Sequence, residues 1–153
     1  MFRKAILAAV LVFLPMQAIA WIYYVDEDPI SGEVYYIAEV FNNYGESFAV
    51  ICSHESTGEY LGIMFTTDYP FMIRETEYVE YRIGNYTNES NWIAFNNNVI
   101  LVVGTPEVDQ IIDQFVEGDE AFIRTENTPE MMEFDITGGE EEIQQVIKQC
   151  EWS

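Results

Sequence analysis

The chain carries one histidine, two cysteines and 27 carboxylates, and any chemistry has to be sought among them. His54 stands in "CSHESTG". No nucleophile elbow and no cysteine free to act accompanies it, so neither a Ser–His–Asp nor a Cys–His site is signalled. The histidine reads as a surface residue beside a turn. Zinc needs clustered His and Cys ligands at short spacing, and the sequence has no such cluster. "VDEDPISGE" offers the carboxylates of Asp26, Glu27 and Asp28 to a calcium ion. As a calcium candidate, the Asp26/Asp28 pair lacks the regular alternation and closing Glu of a calcium loop. Paired acids for glycoside hydrolysis carry little information here, because with this many carboxylates some pair is always well spaced. The sequence therefore offers no catalytic residue, no metal and no cofactor, and the protein is expected not to be an enzyme.

Two further residues have types suited to recognition. Arg82, in "YVEYRI", is one of six cations; it is expected to pair with one of the many carboxylates, the sharper reading being recognition of an anionic group. Trp92, in "SNWIAF", is expected to pack in the core or on a sheet face rather than to serve as a ligand platform. "NYT" at Asn85 and "NES" at Asn88 fit the glycosylation acceptor pattern, which matters only in a host that glycosylates.

The N-terminal segment bears on compartment. Arg3 and Lys4 precede an apolar run, "AILAAVLVFL", then Pro15 and the small residues Ala18-Ile19-Ala20. That pattern is a secretory signal peptide over residues 1–20, with the mature chain a single β-rich domain over 21–153. The apolar run is too short to span a bilayer. The formal net charge is −21. Such a surface repels phosphate backbones and anionic lipid, which argues against nucleic-acid binding and membrane docking. Three readings of the acidity remain: solubility or adaptation to a saline habitat, a cationic protein partner, and divalent cations. Scattering of the acids along the chain favours the first. Two thiols in an exported chain are expected to pair as Cys52–Cys150. A reactive thiol would want cationic neighbours, and Cys150 is flanked by Gln149 and Glu151.

Periodicity says what positions these residues. Short β-rich runs alternate with turn residues: Glu33 to Phe41, Ser47 to Ser53, Tyr60 to Thr66, Tyr78 to Ile83, Asn91 to Phe95, Val99 to Val103, Phe122 to Thr125 and Met132 to Ile136. "FNNNV" between Phe95 and Val99 reads as a tight hairpin. Two segments switch to helical spacing. In "TPEVDQIIDQFVEG", Thr105 suits the N-cap, Pro106 the first turn and Gly118 the stop, and Val108, Ile111, Ile112 and Phe115 form one stripe. In "TGGEEEIQQVIKQC", Thr137 and Glu140 have capping-box spacing, and Ile143, Val146, Ile147 and Cys150 form the stripe. The fold class expected is mainly β: an antiparallel sandwich or barrel-like domain with two short amphipathic helices, the second C-terminal.

Over residues 48 to 152 the order "YRIGNYTNESNWIAF", a striped helix, "AFIRT" and "FDITGGEEEIQQVIKQCEW" resembles the type VI secretion-associated accessory proteins of Gram-negative bacteria. A weaker similarity extends to the invasion-associated locus B family of exported proteins. Tyr81, Arg82, Trp92, Phe134, Asp135, Gly138 and the final Cys150-Glu151-Trp152 carry the resemblance, with Cys52 as the earlier strand cysteine. Gly84 stands where the family commonly has Asp. The resemblance implies an exported β-rich domain with a disulfide and no catalytic residues. The function expected is a periplasmic or secreted, non-enzymatic accessory domain that binds a protein partner with a cationic surface. The alternative is a small acidic inhibitor of a cationic hydrolase such as a lysozyme, for which no inhibitory loop is recognisable.

Overall fold

A computed structural model describes residues 21–71, 76–104, 106–128 and 130–150. The expected signal peptide lies outside them, as do Arg74, Thr105, Glu151 and Trp152. Nine strands and two helices follow in the order β1 (Ile22–Glu27), β2 (Val34–Phe41), β3 (Ser47–Glu55), β4 (Gly58–Thr66), β5 (Thr76–Ile83), β6 (Tyr86–Asn96), β7 (Val99–Val103), α1 (Pro106–Glu117), β8 (Glu120–Thr125), β9 (Met132–Asp135) and α2 (Glu140–Cys150). All nine strands belong to one antiparallel sheet in the spatial order β1-β2-β3-β4-β7-β6-β5-β8-β9. The β6–β7 hairpin turns at Asn97 and Asn98, as "FNNNV" predicts, and a register shift between Ala94 and Asn96 kinks it.

Two strands differ from the sequence reading. β6 begins at Tyr86, five residues before the expected start, because "YTNES" pairs with β5 while keeping Thr87 and Glu89 in solvent. β1 was not expected as a strand at all. Its residues "IYYVDE" pair with β2 through six consecutive positions, from Ile22 opposite Glu39 to Glu27 opposite Val34.

The sheet coils strongly, and its inner face holds the core. Phe48 on β3 is the hub of that core. Its ring lies 5.3 Å from Phe65 on β4, 5.4 Å from Phe115 on α1 and 4.8 Å from Phe134 on β9. β3 and β9 are six places apart in the sheet, so their meeting requires the sheet to wrap around its own contents. It does not close. The fold is the mainly β, antiparallel, barrel-like domain expected, with two short helices and the second C-terminal; among the described residues it is built from one coiled sheet that stays open. The two margins are joined by a side chain instead of a ladder: Trp21 Nε1, just before β1, donates to the Ile136 carbonyl just after β9 at 2.8 Å.

The helices cover the inner face. Val108, Ile111, Ile112 and Phe115 of α1 are buried, which is the stripe the spacing predicts. In α2, Ile143 and Val146 are fully buried and Ile147 and Cys150 pack against the same core. α2 starts later than its capping-box spacing suggests. The Ile143 N–H bonds to the Gly139 carbonyl at 3.0 Å, so Gly139 is the N-cap, and Thr137 is exposed. A Cβ on Gly139 would overlap the Trp21 indole. The position that ordinarily favours Ser, Thr or Asp is therefore kept bare by packing. Gly139→Ser is expected to destabilise the protein by about 1–3 kcal/mol, despite supplying a preferred cap. A urea unfolding midpoint that rises in that variant would contradict the packing account.

Candidate functional site

The two cysteines meet. Cys52 on β3 and Cys150 on the last turn of α2 form a disulfide with a Cα–Cα distance of 5.9 Å across a sequence separation of 98. His54, two residues further along the same face of β3, joins the same junction. Its Nε2 lies 2.9 Å from the Gln149 carbonyl. A carbonyl only accepts, so that nitrogen carries the hydrogen and caps one of the open carbonyls at the helix end. The Glu59 carboxylate lies 3.6 Å from the same nitrogen, and the Tyr36 ring lies 5.1 Å from the imidazole. His54 is thus a half-buried fastening for α2, not the surface residue that its turn-side position suggested.

Tyr81 and Trp92 also come together, their rings 5.6 Å apart on the inner face of β5 and β6. A residue that the sequence did not single out organises them. Glu107, in the first turn of α1, accepts through Oε1 from the Tyr81 hydroxyl and from Ser90 Oγ at 2.6 Å. Trp92 Nε1 donates to Ser90 Oγ at 2.9 Å and lies 3.4 Å from the same carboxylate oxygen, and Asn88 Nδ2 donates to the Tyr81 oxygen at 3.2 Å. The helix N-terminus favours the negative charge of Glu107. Burial, and then the bond to Glu107, push the Tyr81 phenol well above its ordinary value. Every polar atom named here faces another within the cluster, which ties α1 to the sheet. Asn88 is committed to this network, and Asn85 is exposed at the β5–β6 turn.

The remaining candidates separate. Arg82 points to the outer face, next to Tyr81 in sequence and opposite to it in space. Its guanidinium sits 4.5 Å over the Phe122 ring and 3.8 Å from Glu120. It lines a depression of about 670 Å³ with Glu80, Thr87, Glu89, Phe122 and Met131. The charged groups of that depression are already engaged: Glu80 with Arg124, and Glu89 with the Tyr78 hydroxyl. Phe134 is a core ring. Asp135 is exposed and accepts the Thr137 N–H at 3.0 Å, and Gly138 takes a φ of +81° in the turn leading to α2. Gly84 has a φ of +54° and packs on α1 so closely that a Cβ would lie 2.6 Å from Gln114 Oε1. An Asp there would have to push the Gln114 side chain aside and take a left-handed backbone that L residues rarely adopt.

Asp26 and Asp28 do not converge into an ion site. Asp26 lies in the β1 ladder opposite Tyr35. Asp28 Oδ1 accepts the N–H groups of Ile30 at 2.7 Å and Ser31 at 3.0 Å, which fixes the β1–β2 turn and holds its carboxyl below the ordinary value. Among the described residues no group of three or more His, Cys, Asp or Glu is placed to hold a metal ion. No described helix is long and apolar enough to cross a membrane. No family model, no curated protein and no solved structure matches the chain.

A pattern that runs through the whole molecule was not visible in any one motif. Several carboxylates are satisfied by neutral donors, although Glu59 Oε2 is buried without a partner. Glu39 accepts from Tyr24 at 2.7 Å and Ser47 at 2.6 Å, Glu46 from Asn42 at 2.7 Å and Thr67 at 3.2 Å, and Glu77 takes the Asn127 amide on both oxygens. All three of these acids are buried. Tyr35 and Tyr78 donate likewise to Glu33 and Glu89, and those bonds push each phenol up to about 12. Tyr24 is raised by burial first and then by Glu39. A phenol raised in the folded state stabilises it fully below the unfolded value of about 10, and that contribution is lost as pH climbs beyond it. The melting temperature should therefore fall as pH rises above about 10. Tyr81→Phe should cost about 1.5–3 kcal/mol at neutral pH and flatten that fall. A melting temperature that is level across this alkaline range in the unaltered protein would contradict the assignment.

Proposed function

We propose that the chain is an exported, non-enzymatic accessory domain that binds a basic protein surface in the periplasm or outside the cell. The observation that carries this reading is the way its carboxylates are held. The buried acids Glu39, Glu46 and Glu77 are partnered by hydroxyls and amides, while Arg82 and Arg124 are each taken up in an ion pair on the outer face. The negative charge is therefore tolerated without internal neutralisation, and it remains available to steer a cationic partner. The engagement of Tyr81, Trp92, Glu107 and Arg82 with one another or with structural partners supports a binding role over catalysis. The export pattern and the tail-half resemblance support placing the protein among type VI secretion-associated accessory proteins.

A second reading rests on a separate feature. Ile30 stands 96% exposed at the tip of the β1–β2 hairpin, on a turn fixed by Asp28 and bordered by Glu27 and Glu33. An apolar tip within an acidic rim suits insertion into the cleft of a cationic hydrolase, as an inhibitor of a lysozyme would require. A lysozyme inhibition assay with the protein and with Ile30→Asp decides it: inhibition lost in the variant supports this reading, and no inhibition by either removes it.

For the first reading, affinity capture from envelope extract should retain a basic protein, with retention falling about tenfold or more as salt is raised from low to high ionic strength. Capture of nothing at low salt, or capture indifferent to salt, would contradict it.

A further inference from the structure

We propose that β1 is the docking edge of the domain, and that it accepts an extended, basic-ended segment of a partner protein as a tenth, antiparallel strand. This inference rests on the basic-partner reading and gives it a location. β1 pairs in regular register with β2 along one side, and among the described residues nothing pairs with its other side. A free strand edge presents a row of unsatisfied N–H and C=O groups, which folded proteins usually blunt with a bulge, a proline, a lysine or a very short strand. β1 has no bulge, proline or lysine over its six residues, and its only charges, Asp26 and Glu27, lie together at one end, leaving Ile22 to Val25 unblunted. The opposite margin, β9, is only four residues long and alternates Glu133 and Asp135 with its core residues.

The side chains agree with this edge being a receptor. Ile22 and Val25 are each 51% exposed and Tyr24 is 38% exposed, so apolar surface is offered on both faces of the strand. The acids gather at the strand's far end: Asp26 and Glu27 on β1, with Asp28 and Glu33 in the following turn. An incoming antiparallel strand would lay its N-terminal end against those acids and its later residues against Ile22 to Val25. The complementary segment therefore carries Lys or Arg at its start and alternating β-branched residues after it. Charge also decides against the other occupant of a bare edge. A second copy of this chain would bring net charges of −21 together, a like-charge pairing that disfavours edge-to-edge dimers.

The test uses the exported protein, isotopically labelled, and three fluorescent peptides: Lys-Arg-Val-Thr-Val-Thr-Val, the same sequence reversed, and the first peptide N-methylated at alternate residues. The first peptide should shift the amide resonances of residues 22–27. N-methylation, which removes the ladder hydrogen bonds and keeps the charge, should weaken binding about tenfold or more, and reversal should weaken it measurably. Ile22→Lys/Val25→Lys, at two half-exposed positions, should lose binding to a similar degree. No binding of the first peptide at low salt, equal binding of the N-methylated peptide, shifts that map away from β1, or a dimer of the protein through this edge would each overturn the inference. Envelope capture with the double variant separates this inference from the reading beneath it. Retention of the salt-sensitive partner by the variant leaves the partner reading intact and removes the edge, whereas failure of the unaltered protein to capture removes the reading itself.

Discussion

The Cys52–Cys150 bond is the constraint on which the rest of the structure depends. An open sheet with an apolar inner face has to be covered, and α2 is a short helix with only two fully buried side chains. Helices of this length are marginal on their own and take their stability from packing. The covalent link closes a long loop, and chain-entropy arguments put such a closure at about 4–5 kcal/mol. His54 adds a cap at the same helix end, and Trp21 packs over Gly139 at the other. Because Trp21 leads directly into β1 and bonds to the backbone after β9, fixing α2 also fixes the two margins of the sheet. Cys150, three places from the end of the sequence, is held against the core and fastens α2 to it in turn.

The second governing fact is the scarcity of cations. With six Lys and Arg against 27 Asp and Glu, most carboxylates cannot be given a salt bridge, and the fold uses hydroxyl and amide donors instead. Such bonds to a charged acceptor are worth more than neutral ones. They leave the charge in place, which an ion pair would cancel. The fold and the surface potential are thus reconciled at the level of individual side chains. Tyr24 on Glu39 is the clearest case, since it joins β1 to β2 while the surrounding surface stays acidic. The same surface that discourages self-association is the one that would draw a basic strand to the free edge.

What could be read in the sequence was what is local. The α1 and α2 stripes, the turn glycines and most strands follow from periodicity within about ten residues, and the cysteine pairing follows from the expectation of export and from there being only two. β1 was missed because "IYYVDE" does not alternate: its apolar residues face both ways, as an edge strand's can, and its acids look like turn or ion ligands. The helix start was misplaced because the residue that forbids a side chain at Gly139 is Trp21, far away in the chain. Glu107 could not be distinguished from 26 other acids without the geometry that sets it beside Tyr81, Ser90 and Trp92. Arg82 belonged to the same short motif as Tyr81, yet strand alternation sends it to the opposite face, and so the motif does not form one site.

The most direct test of the clamp is amide hydrogen exchange on the oxidised and the reduced protein under native conditions. With the disulfide intact, α2 should be protected together with the strands beneath it. On reduction, α2 and β1 should lose protection together by a large factor, while β3, β4 and β7 at the centre of the sheet keep theirs. If α2 stays as protected without the disulfide as with it, packing alone holds the helix, and the clamp is not what the structure depends on.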